Sequence, residues 1–192
     1  MIRTKKDLRA KYIKTRLELS SLDWQNKSHK ICDYLAIYLS DKNYKTILSY
    51  FSFKQEPDLD YLHQNSNFIW GFPRCVELNL QWHQWRWGDD LIKGKYNILE
   101  PSPLNSPINL DLVDLILVPS VGCDRTGYRL GYGGGFYDRT FAKSEWEKIP
   151  KMGILYDFGY GEEFIKDLWD KPLDSICTES GIKIFRNKNI NG

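Results

Sequence analysis

The sequence runs to 192 residues with a net charge of +2, and 42% of it is hydrophobic. A chain of that length and composition folds as one ordinary domain with a sizeable core, which excludes intrinsic disorder. Charge so near neutrality argues against a nucleic-acid or membrane-surface partner, and no apolar run reaches the roughly 20 residues of a membrane span.

The start, Met1-Ile2-Arg3-Thr4-Lys5-Lys6, is basic but lacks the apolar segment of a secretory signal, so a cytoplasmic location is expected. Thr4 with Asp7 reads as a capping box that opens a helix, along which Leu8, Tyr12, Thr15 and Leu19 recur at helical spacing. Lys5 and Arg9 project from one face of that helix. Like charges four apart cost about 0.2–0.5 kcal/mol unless an anion lies between them, and a solvated basic face is the plainer reading. Ser20 and Asp23 repeat the cap and start a second helix that buries Trp24, Ile31, Leu35 and Leu39.

Thr46 to Phe51, β-branched and aromatic, reads as a strand, followed by a short helix from Pro57 to Gln64. Between them Glu56 stands beside aromatics, either accepting hydrogen bonds from a ligand's amino-pyrimidine edge or serving as a helix-start charge. Asn67 to Gly71 is a second strand, stopped before Pro73. Val76, Leu78, Leu80 and Trp82 alternate with polar residues as in a half-exposed strand. Asn97 to Asp111, with three prolines, reads as an extended loop, and Leu112 to Val118, apolar but for Asp114, as a buried strand. Lys151 to Tyr156 and Ile182 to Phe185 are further strands, separated by helical or irregular sequence. Helices alternating with short apolar strands imply a three-layer α/β domain whose central sheet is mostly parallel and flanked by helices.

The chemistry concentrates in Arg129-Leu130-Gly131-Tyr132-Gly133-Gly134-Gly135-Phe136-Tyr137-Asp138-Arg139, which precedes a helix from about Phe136 to Lys143. Glycines leave backbone N–H groups uncovered, so they can converge on an anion, and the arginines add charge-assisted donors. Asp138 is placed to hold a metal ion against that anion. The loop is neither a P-loop, lacking Gly-Lys-Ser/Thr, nor a dinucleotide fingerprint, since Phe136 fills the third glycine position. A tight turn with solvated arginines remains the bland alternative. Cys32, Cys75, Cys123 and Cys177 and the three histidines are too scattered for a disulfide framework or a zinc site. Asp170 and Asp174 flank a proline turn and either belong to that turn or join Asp138 around Mg²⁺.

Taken in order, these residues resemble the 5-formyltetrahydrofolate cyclo-ligase (methenyltetrahydrofolate synthetase) family. The resemblance is strongest at Asp114 to Pro119, Asp124 and Gly127 to Arg139. It extends through Lys5 to Arg9, Glu56, Pro73-Arg74, Glu100-Pro101 and Asp170 to Glu179. It implies ATP- and Mg²⁺-dependent closure of 5-formyltetrahydrofolate, with or without a polyglutamate tail, by a monomeric enzyme with a three-layer α/β fold. It also implies that ATP is held by Lys5, Lys6, Asp7, Leu8, Arg9 and by Arg129, Leu130, Gly131, Tyr132, Gly133, Gly134, Gly135, Phe136 and Tyr137. Among these, Lys5, Arg9 and Arg129 would be catalytic. Phe51, Glu56 and Tyr132 to Phe136 would contact the folate, and Asp138 and Asp170 would hold Mg²⁺. Ser120, Cys123 and Trp169 depart from the family pattern, where glycine, an aromatic and histidine are usual. A nucleotide- or RNA-binding module without catalysis, and a diverged relative with a changed acceptor, are the competing readings.

Overall fold

The structure, a computed structural model, describes residues 3–64 and 67–185. Thr4 accepts a hydrogen bond from the Asp7 N–H (3.2 Å) and opens α1 (Lys5–Leu17). Ser20 does the same for the Asp23 N–H (3.1 Å) ahead of α2 (Ser21–Ser40). There follow β1 (Thr46–Leu48), α3 (Asp60–His63), and a hairpin of β2 (Ile69–Val76) with β3 (Asn79–Gln84). A second hairpin pairs β4 (Leu91–Lys93) with β5 (Leu99–Pro101). Then come β6 (Val113–Pro119), the small hairpin of β7 (Gly122–Cys123) and β8 (Arg129–Leu130), and α4 (Phe136–Phe141). The last strands are β9 (Lys151–Ile154), β10 (Ser175–Thr178) and β11 (Gly181–Ile184).

Seven strands form the main sheet in the order β11-β10-β9-β6-β1-β2-β3. β10, β9, β6, β1 and β2 run parallel, and the two edges are antiparallel. β6 shows how the layers form, because neighbouring side chains leave a strand on opposite faces. Leu115 and Leu117 pack with Ile31, Leu35 and Leu39 of α2, whereas Ile116 and Val118 pack with Phe141 of α4 and with Trp146. The expected three-layer α/β architecture results. α1 belongs to neither face; its Leu8 and Tyr12 pack with Val121, Leu130 and Phe164 around the β7–β8 hairpin.

Several elements differ from the sequence expectation. β1 ends at Leu48, not Phe51, because the chain turns away and Lys54 and Gln55 take positive φ (50° and 55°). The helix expected from Pro57 shrinks to α3. Asp58 gives its N–H to Ser28 (3.0 Å) and its carboxylate to the Asp60 N–H (2.9 Å), bonds that compete with helix. β2 runs through Pro73 instead of stopping before it. Gly71 O accepts from the Ser49 N–H on the β1 side, so Pro73, two residues on, turns its missing donor the same way, beyond the end of β1. Val76 to Trp82 is not one strand: β2 ends at Val76, Glu77 takes φ 55°, and the chain reverses into β3, which holds Leu80 and Trp82.

The proline-rich segment contains β5, and Leu112 closes a 3-10 turn ahead of β6 rather than opening that strand. α4 and β9 end at Phe141 and Ile154, short of the expected Lys143 and Tyr156. β10 lies where helical or irregular sequence was expected, buried along its whole length between β9 and β11. In α1 the inward face ends at Arg16, which is buried, while Leu19 lies past the helix. Asp114 accepts from the N–H groups of Lys45 (2.7 Å) and Thr46 (2.9 Å), pinning the start of β1 to β6. Asp114→Ala should cost about 1–3 kcal/mol in urea unfolding with an unchanged m-value, and Asp114→Asn less.

Candidate active site

From β1 the chain adds β2 on one side, while β6, β9 and β10 build outward on the other. The crevice at such a reversal, beyond the carboxyl ends of the strands, is where α/β sheets take ligands. A cavity of about 550 Å³ opens there. Tyr50 and Phe51 beyond β1, Pro119 at the end of β6, α1 and the glycine loop all contribute to its lining.

α1 runs beside this cavity and carries cations along one face. From Lys5 to Arg16 the helix rises roughly 16 Å. At the near end Lys5 Nζ lies 2.6 Å from Asp167 and 2.5 Å from Asp170. Burial opposes the Lys5 charge, but the two carboxylates outweigh it and raise the pKa. In the middle, Arg9 donates from Nε to the Gly131 carbonyl (2.7 Å). At the far end Arg16 meets Glu56 and Tyr132. Of the other sequence-nominated residues on this helix, Lys6 and Asp7 are exposed and Leu8 is in the core, and none of the three lines the cavity.

The glycine loop is anchored from both ends. Asp124, fully buried, accepts from the N–H groups of Thr126 (2.8 Å) and Tyr128 (3.0 Å) and pairs with Lys166 (3.0 Å). That turn closes the β7–β8 hairpin and sends Arg129 into the cavity wall. Gly133 and Gly135 take φ of 96° and 69°, which a larger residue rarely adopts, and a Cβ on Gly135 would come within 2.6 Å of Arg139. Arg139 holds the loop from behind, donating to the carbonyls of Leu78 (2.9 Å) and Gly134 (3.1 Å), and does not line the cavity. Leu130 is turned into the core against α1, whereas Gly131 through Asp138 all face the cavity.

Arg129 is 8% exposed and lies between Asp138 (Nη2 to Oδ1, 2.9 Å) and the ring of Tyr137 (5.3 Å). Burial lowers its pKa, with Asp138 working against that, and its buried Nε has no hydrogen-bond partner among the described residues. A guanidinium with a vacant buried donor fits an anion.

The opposite end of the cavity is aromatic and acidic. Phe51 stacks on Phe72 (centroids 4.2 Å apart), with Trp85 edge-on to both. Glu56 is 3% exposed; its Oε2 accepts from the Phe53 N–H (3.0 Å), and burial pushes its carboxyl up to about 7 against the pull of Arg16. A flat heterocycle with N–H donors fits between ring and carboxylate.

Asp138 and Asp170, the metal candidates, both line the cavity. Each has one oxygen engaged, by Arg129 and by Lys5 with the Asp167 N–H, and the second oxygen has no hydrogen-bond partner among the described residues. Hard carboxylate oxygens suit Mg²⁺, which needs few protein ligands where phosphates supply the rest. No cluster of three or more ligating side chains occurs among the described residues. The sequence expectation missed Arg16, Phe53, Asp167 and the cavity-lining Glu100 and Trp169. Arg16 alone carried a signal, sitting seven residues beyond Arg9 on the same helical face.

Known proteins resemble this chain in both sequence and fold. The family model of the 5-formyltetrahydrofolate cyclo-ligases matches residues 1–179. The 5-formyltetrahydrofolate cyclo-ligase of Mycoplasma pneumoniae is 29% identical over 178 residues, covering 91% of this chain and 98% of the relative. The solution structure of Aquifex aeolicus 5,10-methenyltetrahydrofolate synthetase superposes with a TM-score of 0.84 at 29% identity, over 98% of this chain and 96% of that one. The Mycoplasma pneumoniae synthetase structure gives 0.76 at 25% identity, over 92% and 99%. On sequence and fold alike, the chain belongs to the 5-formyltetrahydrofolate cyclo-ligase family of enzymes.

Proposed function

We propose that this chain, a cyclo-ligase by family, closes 5-formyltetrahydrofolate to 5,10-methenyltetrahydrofolate in a reaction driven by ATP and dependent on Mg²⁺. One observation carries the reading: a single cavity has Lys5, Arg9 and Arg129 along one stretch and Phe51 with Glu56 along another. The cationic stretch suits a polyphosphate, and the aromatic and acidic stretch suits the pterin.

The formamide carbonyl is a poor electrophile and its oxygen a poor leaving group. Transfer of the γ-phosphoryl group to that oxygen, with ADP leaving, removes both obstacles. N10 then attacks the activated carbon and gives up its proton to the departing phosphate, the C–O bond breaks to release that phosphate, and the five-membered ring closes. Nucleophile and electrophile both belong to the folate, so the side chains need only position and neutralise. Arg129 would donate to the transferring phosphoryl group. Lys5 and Arg9 would hold the other phosphates, and the N–H groups of Gly133 to Gly135 would add donors that need no reorganisation. Bound Mg²⁺, held by Asp138 and Asp170, would neutralise phosphate charge. Glu56 would orient the pterin against Phe51.

A monomer is the proposed working form. No helix among the described residues is long and apolar enough to cross a membrane. A cytoplasmic setting is supported by four free cysteines, three of them buried.

The direct test is the absorbance of methenyltetrahydrofolate formed from 5-formyltetrahydrofolate, Mg²⁺ and ATP; product formed equally well without ATP would remove the proposal. In that assay Arg129→Ala and Asp138→Ala should each lower kcat by about 10²–10³, with the circular dichroism spectrum retained. Glu56→Gln should weaken 5-formyltetrahydrofolate by about 10–100-fold, the loss of a charged hydrogen bond, and leave the KM for ATP within about threefold.

A further inference from the structure

Arg16 occupies the last turn of α1 and is 2% exposed. A buried arginine is costly unless its charge is met. Its Nη1 lies 3.9 Å from Glu56 Oε1, its Nη2 donates to the Tyr132 hydroxyl, and its guanidinium sits 5.3 Å from the Tyr132 ring centre. Tyr132 also edges against Phe53 (6.1 Å), the residue whose N–H binds Glu56. One guanidinium therefore joins α1, the glycine loop and the Glu56 wall. It does not itself line the cavity, whereas Glu56 and Tyr132 both do.

Tyr50, Tyr132, Tyr137 and Tyr156 also face Glu56, from the segment after β1, the glycine loop, α4 and the segment after β9. Burial pushes all four phenols upward, so they stay neutral. The charge that opposes Glu56 comes from Arg16.

We infer that Arg16 is a positioning residue for pterin recognition, fixing the Glu56 carboxylate and the Tyr132 ring side by side so that together they meet the 2-amino-4-oxopyrimidine. The inference rests on the proposed folate contact at Glu56. That ring offers N–H donors, which an ionised carboxylate accepts on both oxygens and a protonated one does not. With Arg16 present the carboxyl titrates at about 7, so the grip is complete above that pH and is lost as pH falls through it. Without Arg16 the only opposing charge among the described residues is gone, and the same loss begins at higher pH.

The test is kcat/KM for 5-formyltetrahydrofolate from roughly pH 6 to 9 in the native enzyme, Arg16→Met and Arg16→Lys, with the KM for ATP measured alongside. Arg16→Met should move the acid limb up by about one pH unit or more and raise the KM for 5-formyltetrahydrofolate about 10–100-fold. The KM for ATP should change less than about threefold. Lysine restores the charge without the planar fork, so Arg16→Lys should return part of the pH limb and less of the affinity. On a Glu56→Gln background, Arg16→Met should add less than about threefold, because the carboxylate it acts through is gone. An unmoved limb with both KM values raised together, or the full loss repeated on the Glu56→Gln background, would reduce Arg16 to a packing residue. If Arg16→Met does not fold, the same KM split and limb shift in Arg16→Lys decide the question. A native enzyme with no turnover would instead sink the functional proposal itself.

Discussion

The packing of α1 across the carboxyl end of the sheet is the contact on which the cavity depends. Leu8 and Tyr12 fill the space between Val121, Leu130 and Phe164, beside the small β7–β8 hairpin. Because the hydrophobic contact fixes the helix about its own axis, the polar face at Lys5, Arg9 and Arg16 can point only one way. The β7–β8 hairpin on the other side of the contact carries Arg129, so the two sets of cations are brought together by one small apolar cluster. Apolar packing thus specifies the electrostatics.

Those charges are unusual in how few are left to water. Arg16, Glu56, Glu100, Asp124 and Arg129 are all under a tenth exposed. A buried charge persists only with a partner or enough hydrogen bonds, and each of these has one or more: Glu100 accepts from the Cys75 N–H (3.0 Å), and Asp124 meets Lys166. Pairing of this kind adds little to stability over apolar packing. What it supplies is orientation held before any ligand arrives, the condition under which donors act on developing charge without reorganising. The pairs also leave work undone, since Arg129 Nε is buried without an acceptor.

Much of this was legible in the sequence, and the rest was hidden for identifiable reasons. The caps at Thr4 and Ser20, the apolar run of β6 and the glycine loop are local patterns, and each forms where the pattern lies. Pro73 misled because a proline's effect on a strand depends on which neighbour its nitrogen faces, and that is set by where β1 ends. β10 was hidden because it is only four residues long, Ser175 and Cys177 carry little strand preference, and its burial comes from β9 and α2, distant in sequence. Within the site, Lys5, Arg9, Glu56 and Arg129 through Asp138 were nameable from motif and chemistry. Glu100 was not, because nothing local distinguishes a buried, paired charge from a solvated one, and Arg16 showed only its shared helical phase with Arg9. Lys6, Asp7 and Leu8 show the converse: adjacency to Lys5 and Arg9 in sequence does not survive a helix's rotation of about 100° per residue.

The placement of three contacts along one helix has a consequence for how such a chain can vary. Lys5, Arg9 and Arg16 engage Asp170, Gly131 and Glu56 in succession, so their phase around α1 is shared. Insertion of a single residue between Lys5 and Arg16 would swing everything beyond it by about 100° and advance it roughly 1.5 Å. At least one contact would be severed outright, whichever residue was added. Point changes along the exposed face carry no such penalty. α1 therefore behaves as a splined shaft, tolerant of what its teeth are made of on the outside and intolerant of any change in their count.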